Sequence, residues 1–266
     1  MPTAVSSTAP IRAGSRPTCD ARESSGNRTI ACARRSPTEE QSMSITEPRQ
    51  VRLSLPAKAE DIARLELADV VFLDGLVYTA REGVYQRVLG DGEPLPEGLV
   101  ESSNVNFHCS PAASVEPDGS FRVGGVTATA SFRFVKWMAD WLDRTGTKIV
   151  IGKGGMPQSV YREIFAPRGV VYLTTVGYGT GALLGRGVRG VRRVNWLDEL
   201  GIAQANWLFE VENFGPFIVD SDIAGNSLFA QQGELINQRI DAAYRGLKAP
   251  TLHRYGETDD RRDELM

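Results

Sequence analysis

The sequence is poor in the side chains that hold most metals. It contains 3 cysteines (Cys19, Cys32 and Cys109) and 2 histidines (His108 and His253) in 266 residues. No Cys-x-x-Cys pair occurs, which excludes a zinc site and a disulfide framework. So thin a cysteine supply fits a reducing, cytoplasmic setting. A run of about 18 apolar residues is also missing, which excludes a membrane-spanning helix. The N-terminus has no compact apolar stretch of the kind a secretory signal requires. Charge of one sign is missing too: 30 Lys and Arg stand against 33 Asp and Glu, a net charge of -3. No global basic field therefore draws nucleic acid or an anionic membrane. What remains is an ordinary globular composition, 41% hydrophobic and 24% charged, enough for one large domain or one domain plus a tail. A mildly acidic chain that binds an anion must gather its cations locally.

Residues 1–48 are rich in Ser, Thr, Arg and Pro and show no sustained apolar period. Such a stretch buries too little surface to offset its ordering entropy and reads as a disordered tail. Arg12, Arg16, Arg22, Arg28, Arg34 and Arg35 suit a transit peptide, whereas Asp20, Glu23, Glu39 and Glu40 do not. The alternative is a start placed too early, with Met43 the true one. The folded domain is expected over residues 49–248, with a charged C-terminal tail over 249–266.

Within the domain, residues 51–55 alternate like a strand. Residues 69–75 form an apolar run closed by a turn signal at Asp74 and Gly75, with an extended stretch over 76–80 after it. Residues 121–123 and 126–129 look extended on either side of Gly124 and Gly125, where the backbone needs positive φ or a close approach. A helix is expected from Ser131, with Phe132, Val135, Ala139 and Leu142 on one face and Gly146 placed to stop it. Strands are expected over 148–151, 170–173, 207–211 and 217–220, and helices over 157–165 and 235–247. The order is mixed α/β.

Four segments could carry chemistry. The strand ending at Ile151 runs into Gly152-Lys153-Gly154-Gly155, where converging backbone N–H groups and a lysine suit a carboxylate or a phosphate. It is not a P-loop, because Gly154 stands where Ser or Thr is needed and Thr147 where the first glycine belongs. In Thr127-Ala128-Thr129-Ala130-Ser131-Phe132-Arg133, Thr129 or Ser131 can cap the following helix, while Arg133 opposes its macrodipole and calls for an anion nearby. Arg81 follows a strand, and a surface pair with Glu82 or another acid is the ordinary fate of such an arginine. Gly177, Gly179 and Ala182 fit the dinucleotide pattern G-x-G-x-x-A, but Asp198, the acid it needs, falls in a helical turn rather than at a strand end. His108 and Cys109 are neighbours whose side chains point to opposite faces of a strand, so His108 reads as a structural histidine.

Taken in order, Asp74-Gly75 with Arg81, Phe107-His108 with Pro111, Thr129 with Arg133, Val150 through Met156, and Phe214-Gly215-Pro216 with Asp222 and Gly225-Asn226-Ser227-Leu228 form a recognisable set. It resembles the C-terminal domain of class I (iron–sulfur) fumarases, found as a separate beta subunit in two-chain fumarases and L(+)-tartrate dehydratases. The resemblance spans about residues 51–245. It implies a swivelling β/β/α domain and an alpha subunit carrying a [4Fe-4S] cluster on three cysteines, in an alpha2beta2-type assembly with the active site between the halves. It implies reversible hydration of fumarate to L-malate, or dehydration of tartrate to oxaloacetate, with a small dicarboxylate as substrate. By that likeness Thr129 is the catalytic base, chosen over the alternatives Thr127 and Ser131 for its four-residue distance from Arg133. Arg81, Arg133 and Lys153, with Gly152 and Gly154, bind the carboxylates, and this chain holds no metal ligand. The family's Gly-Pro-Thr-Thr and His-Ala-Gly-Pro are replaced here, by Val126 through Ser131 and by His108-Cys109-Ser110-Pro111, and the stretch from Gly177 to Gly187 with Arg186 also departs from it. A non-catalytic anion-binding module on the same fold is the alternative of another class.

Overall fold

Alternation of apolar side chains builds a sheet that is buried on both faces. The computed structural model describes residues 47–246 apart from 176 and 178; the N-terminal stretch, the last two residues of the expected domain (247 and 248) and the charged C-terminal tail lie outside the described residues. Nine strands are present among them: β1 (Gln50–Ser54), β2 (Val70–Thr79), β3 (Val105–Phe107), β4 (Cys109–Val115), β5 (Phe121–Ala128), β6 (Ile149–Gly152), β7 (Val171–Thr174), β8 (Val188–Asn195) and β9 (Asn206–Ser221). The helices are α1 (Ala59–Ile62), α2 (Glu82–Tyr85), α3 (Leu99–Ser102), α4 (Val135–Thr145), α5 (Gln158–Val160), α6 (Thr180–Gly187), α7 (Leu197–Leu200) and α8 (Leu228–Tyr244).

The main sheet runs β1-β2-β3-β6-β7-β9-β8, and β9 also pairs with β2. Strands β2, β3, β6, β7 and β9 therefore close into a ring. The pairings from β1 through β7 are parallel, while β9 runs antiparallel to β2, β7 and β8. Ile149, Ile151, Val171 and Leu173 face one core with Phe107, Phe214 and Phe217. Their neighbours Val150 and Tyr172 face the other core, with Tyr85, Met138 and Trp141. This two-residue period is what a doubly covered parallel sheet demands. Strands β4 and β5 form a separate hairpin ladder.

Several expected boundaries move, each for a local reason. Asp74 and Gly75 do not end a strand: β2 runs through them, because Gly75 at φ 132° lets the Leu55 backbone pass 2.9 Å from where a Cβ would stand. The two expected late strands are one, β9, continuous through Gly215 and Pro216. Gly124 and Gly125 lie inside β5 with neither a positive φ nor a clash for an added Cβ; the glycine that close approach requires is Gly185 of α6, where a Cβ would sit 2.7 Å from the Gly124 carbonyl. The expected face of α4 is out of phase. Phe132 is 61% exposed, while Phe134, Met138, Trp141 and Leu142 are buried. The reason is the tighter 3-10 turn over Ser131–Phe134 that precedes the α-helix and shifts its phase. Residues 157–165 form α5 and a π-type turn, Tyr161–Phe165, rather than one helix. Helix α8 starts at Leu228, ahead of the expected 235. Strand β8 was not expected; its signal is the partly buried run of Val188, Val191 and Val194 among arginines.

Candidate active site

Strand β6 ends at Gly152 and hands the chain to Lys153, Gly154 and Gly155, the last two at φ 75° and 71°. Backbone bonds stitch this loop to the segment after β5. Lys153 N–H donates to the Thr129 carbonyl (3.1 Å), Ser131 N–H to the Lys153 carbonyl (3.3 Å), and Thr129 N–H to the His108 carbonyl (2.6 Å). The three sequence-distant motifs thus form one unit. Lys153 is exposed and lines a cleft of about 570 Å³ with Thr127, Thr175, Thr180 and Gly181. Helix α6 supplies the far wall.

Arg81 sits half-buried at the start of α2. It donates to the Ser110 hydroxyl and to the Ala203 carbonyl (2.8 Å), and its Nε has no partner among the described residues. The expected surface pair with an acid is not formed: among the described residues no carboxylate lies within salt-bridge distance of Arg81, and Glu82 instead faces Arg133 at a loose 3.9 Å. Burial, and then the neighbouring Arg133 guanidinium, push the Arg81 pKa down. Two cations held this close without a tight acid between them favour an added carboxylate.

The hydroxyl groups sort themselves by burial. Ser131 is not a cap; the residue ahead of the turn is Ala130, with no side-chain cap bond. Ser131 is fully buried and engaged by Tyr172 (2.7 Å) and His108 (2.7 Å). Thr127 is exposed on the cleft side and Thr129 is partly buried. Thr127 and Ala128 line the cleft; Thr129, just past the end of β5, is not among its lining residues.

The family model described as fumarase C-terminus matches residues 27–232. The chain belongs to the fumarase C-terminus family. The match begins inside the stretch read as a tail. A protein of Methanocaldococcus jannaschii, provisionally named L(+)-tartrate dehydratase subunit beta, is 34% identical over 185 residues, 68% of this chain and 92% of that protein. The L(+)-tartrate dehydratase subunit beta of Escherichia coli K12 is 30% identical over 191 residues, 71% of this chain and 91% of that one. A Geobacillus stearothermophilus protein provisionally named class I fumarate hydratase is 30% identical over 183 residues, 69% of this chain but 34% of its own length.

In this fumarase C-terminus chain His108, read from the sequence as a structural histidine, takes a definite place, and Tyr161 and Asp220 are groups that sequence reasoning passed over. His108 is completely buried, edge-on to Phe134 with ring centroids 4.8 Å apart, and burial pulls its pKa down to about 3. Its ring bridges Ser131 on one side and the Tyr85 hydroxyl (2.7 Å) on the other. Under Gly155, Tyr161 donates to Asp220 (2.7 Å) and accepts the Met156 N–H (2.7 Å). Asp220 also accepts the Phe229 N–H at 3.0 Å, tying the start of α8 to the loop. The motif residues Asp222 and Gly225 shape the turn before α8: Asp222 accepts the Asn226 N–H at 2.9 Å, and Gly225 packs against the Tyr161 carbonyl. Asp222 and Gly225 were marked only by the resemblance, and Tyr161 and Asp220 had no advance signal. Asp198 does lie in a helical turn, α7. Among the described residues no group of His, Cys, Asp and Glu could hold a metal ion. Cys109 is buried, and burial pushes its thiol pKa well up, away from the thiolate a cluster needs. These residues do not fit an iron–sulfur cluster.

Proposed function

We propose that this chain is the beta subunit of a hydro-lyase that hydrates fumarate reversibly to L-malate, working with an alpha subunit that carries the [4Fe-4S] cluster. The observation that carries this reading is the grouping of Arg81 and Arg133, without a tight acid among the described residues, beside the unit that joins Thr129 to Lys153. Two carboxylates need two cationic anchors. Arg81 and Arg133 suit one, bidentately, and Lys153 with the Gly152 and Gly154 backbone suits the other. Removing a proton from carbon beside a carboxylate builds enolate-like charge on it, and fixed cations stabilise that charge. Thr129 takes the proton in the dehydration direction and returns it in hydration. A threonine hydroxyl is a weak base, and Arg133, four residues on, favours its charged form. The swivelling of this domain against its partner belongs to the same proposal.

Dehydration of L(+)-tartrate to oxaloacetate is the second reading. The M. jannaschii and E. coli proteins that match over nine-tenths of their length carry that name. The test is anaerobic co-purification with the alpha partner, followed by assays on fumarate and on L(+)-tartrate. Thr129→Ala should lower turnover about a thousandfold, as expected on losing a general base. Near-normal turnover by that variant removes Thr129 from the chemistry. A wild-type complex inactive on both acids leaves the anion-binding module.

A further inference from the structure

We propose that His108 is a positioning residue, which holds the Thr129–Arg133 turn against the Lys153 loop through the Ser131 hydroxyl. The proposal rests on the hydro-lyase reading for what is being positioned. Tyr172 donates its O–H to Ser131 Oγ, so the Ser131 proton is left for the imidazole, whose Nδ1 lies 2.7 Å away. Nδ1 is then an acceptor, and in a neutral ring Nε2 carries the hydrogen. Nε2 lies 2.7 Å from the Tyr85 oxygen and donates to it, and the Tyr85 O–H in turn donates to the Asn106 amide 2.7 Å away, with the amide turned so that its otherwise unpartnered oxygen faces Tyr85. All five residues are buried, so each lost partner leaves a group that water cannot reach.

The chain of bonds runs directly beneath the anion loop. A Cβ on Gly152 would overlap Ser131 Oγ and lie 2.7 Å from the Tyr172 hydroxyl, so the loop backbone rests on this pair. The Thr129 and Lys153 backbones are bonded to each other, and Ser131 N–H to Lys153. A displaced Ser131 therefore displaces the candidate base and the candidate carboxylate anchor together. A histidine serving only to fill the core would have no such reach.

Two variants separate the halves of the ring. His108→Asn keeps an acceptor near the place of Nδ1, whereas His108→Gln puts its amide near the place of Nε2. In the two-subunit complex, His108→Asn should keep most of the turnover number. His108→Gln should lose about a hundredfold with KM little changed, the scale of a small misplacement of reacting groups. Equal turnover in the two variants overturns the proposal. A second measurement does not depend on activity: 15N spectra of the histidine-labelled full-length chain. The resonances that His108→Asn removes should report a neutral ring with hydrogen on Nε2, and Ser131→Ala should shift Nδ1. Hydrogen on Nδ1 overturns the proposal. Wild-type inactivity on both acids counts against the hydro-lyase reading alone, and the tautomer then decides this one.

Discussion

The buried imidazole makes a quantitative demand on stability. In the unfolded chain His108 takes up a proton near pH 6.5; in the fold burial holds its pKa at about 3. Between those values the unfolded chain binds more protons, so acid favours unfolding. The stability associated with the neutral ring is complete above pH 6.5 and is lost as pH falls toward 3. The full span corresponds to about 5 kcal/mol, at about 1.4 kcal/mol per pH unit. Most of that range overlaps carboxylate titration, so the clean window lies higher. Between pH 7 and 5.5 the ring alone should remove about 1.2 kcal/mol. Urea unfolding of wild type and His108→Asn at both pH values isolates it, because subtraction cancels His253 and every carboxylate. The wild type should lose about 1.2 kcal/mol more than the variant over that interval. Equal losses in the two proteins would mean that the ring is solvated or already charged in the fold, and would refute the argument.

Further outcomes follow from the same contacts. Gly155→Ala meets Asp220 Oδ2 at 2.8 Å as well as a left-handed backbone, whereas Gly154→Ala meets only the backbone term. By urea unfolding the first should cost about 1–3 kcal/mol more than the second, the usual scale of overpacking. Tyr161→Phe removes a donor to Asp220 and an acceptor for Met156 N–H; its expected cost is about 1–3 kcal/mol, checked in the same way. Arg81→Met should lower kcat/KM about a hundredfold in the two-subunit complex, on the scale of about 3 kcal/mol for a charge-assisted pair, and leave the unfolding midpoint nearly unchanged. A collapse of that midpoint would show Arg81 to be a structural strut.

The sequence announced its strands through period-two runs, as at Ile149 to Ile151, and its helix stop through Gly146, because such signals are local. It misjudged elements whose limits depend on distant chain. Gly75 looked like a turn because a glycine that admits Leu55 is indistinguishable from one that reverses direction. The face of α4 was misassigned because its first turn is wound differently from the rest. Of the candidate site, Lys153 and its glycines stood out by spacing, as did Arg81 and Arg133, but the arginines acquired a carboxylate-binding role only through resemblance. That Arg81 has no tight acid among the described residues, and that Ser131 is spent on His108, depend on which side chains fold beside them. No window of sequence holds that information.

The ring of strands has a consequence for how the protein must be made. Val70 pairs with Ile218 and Leu208 with Tyr78, so the closing seam joins parts of the chain separated by well over half of the domain. Contacts of such long separation slow folding, because loop entropy must be spent before they form. Until β9 emerges, β2 and β7 present unpaired edges of the kind that attract other chains. A nascent chain halted before Asn206 therefore has the candidate base Thr129 and the candidate anchors Arg81, Arg133 and Lys153 already synthesised, and lacks the strand that closes the sheet carrying them. Premature termination there should yield an aggregating product and no partially competent subunit.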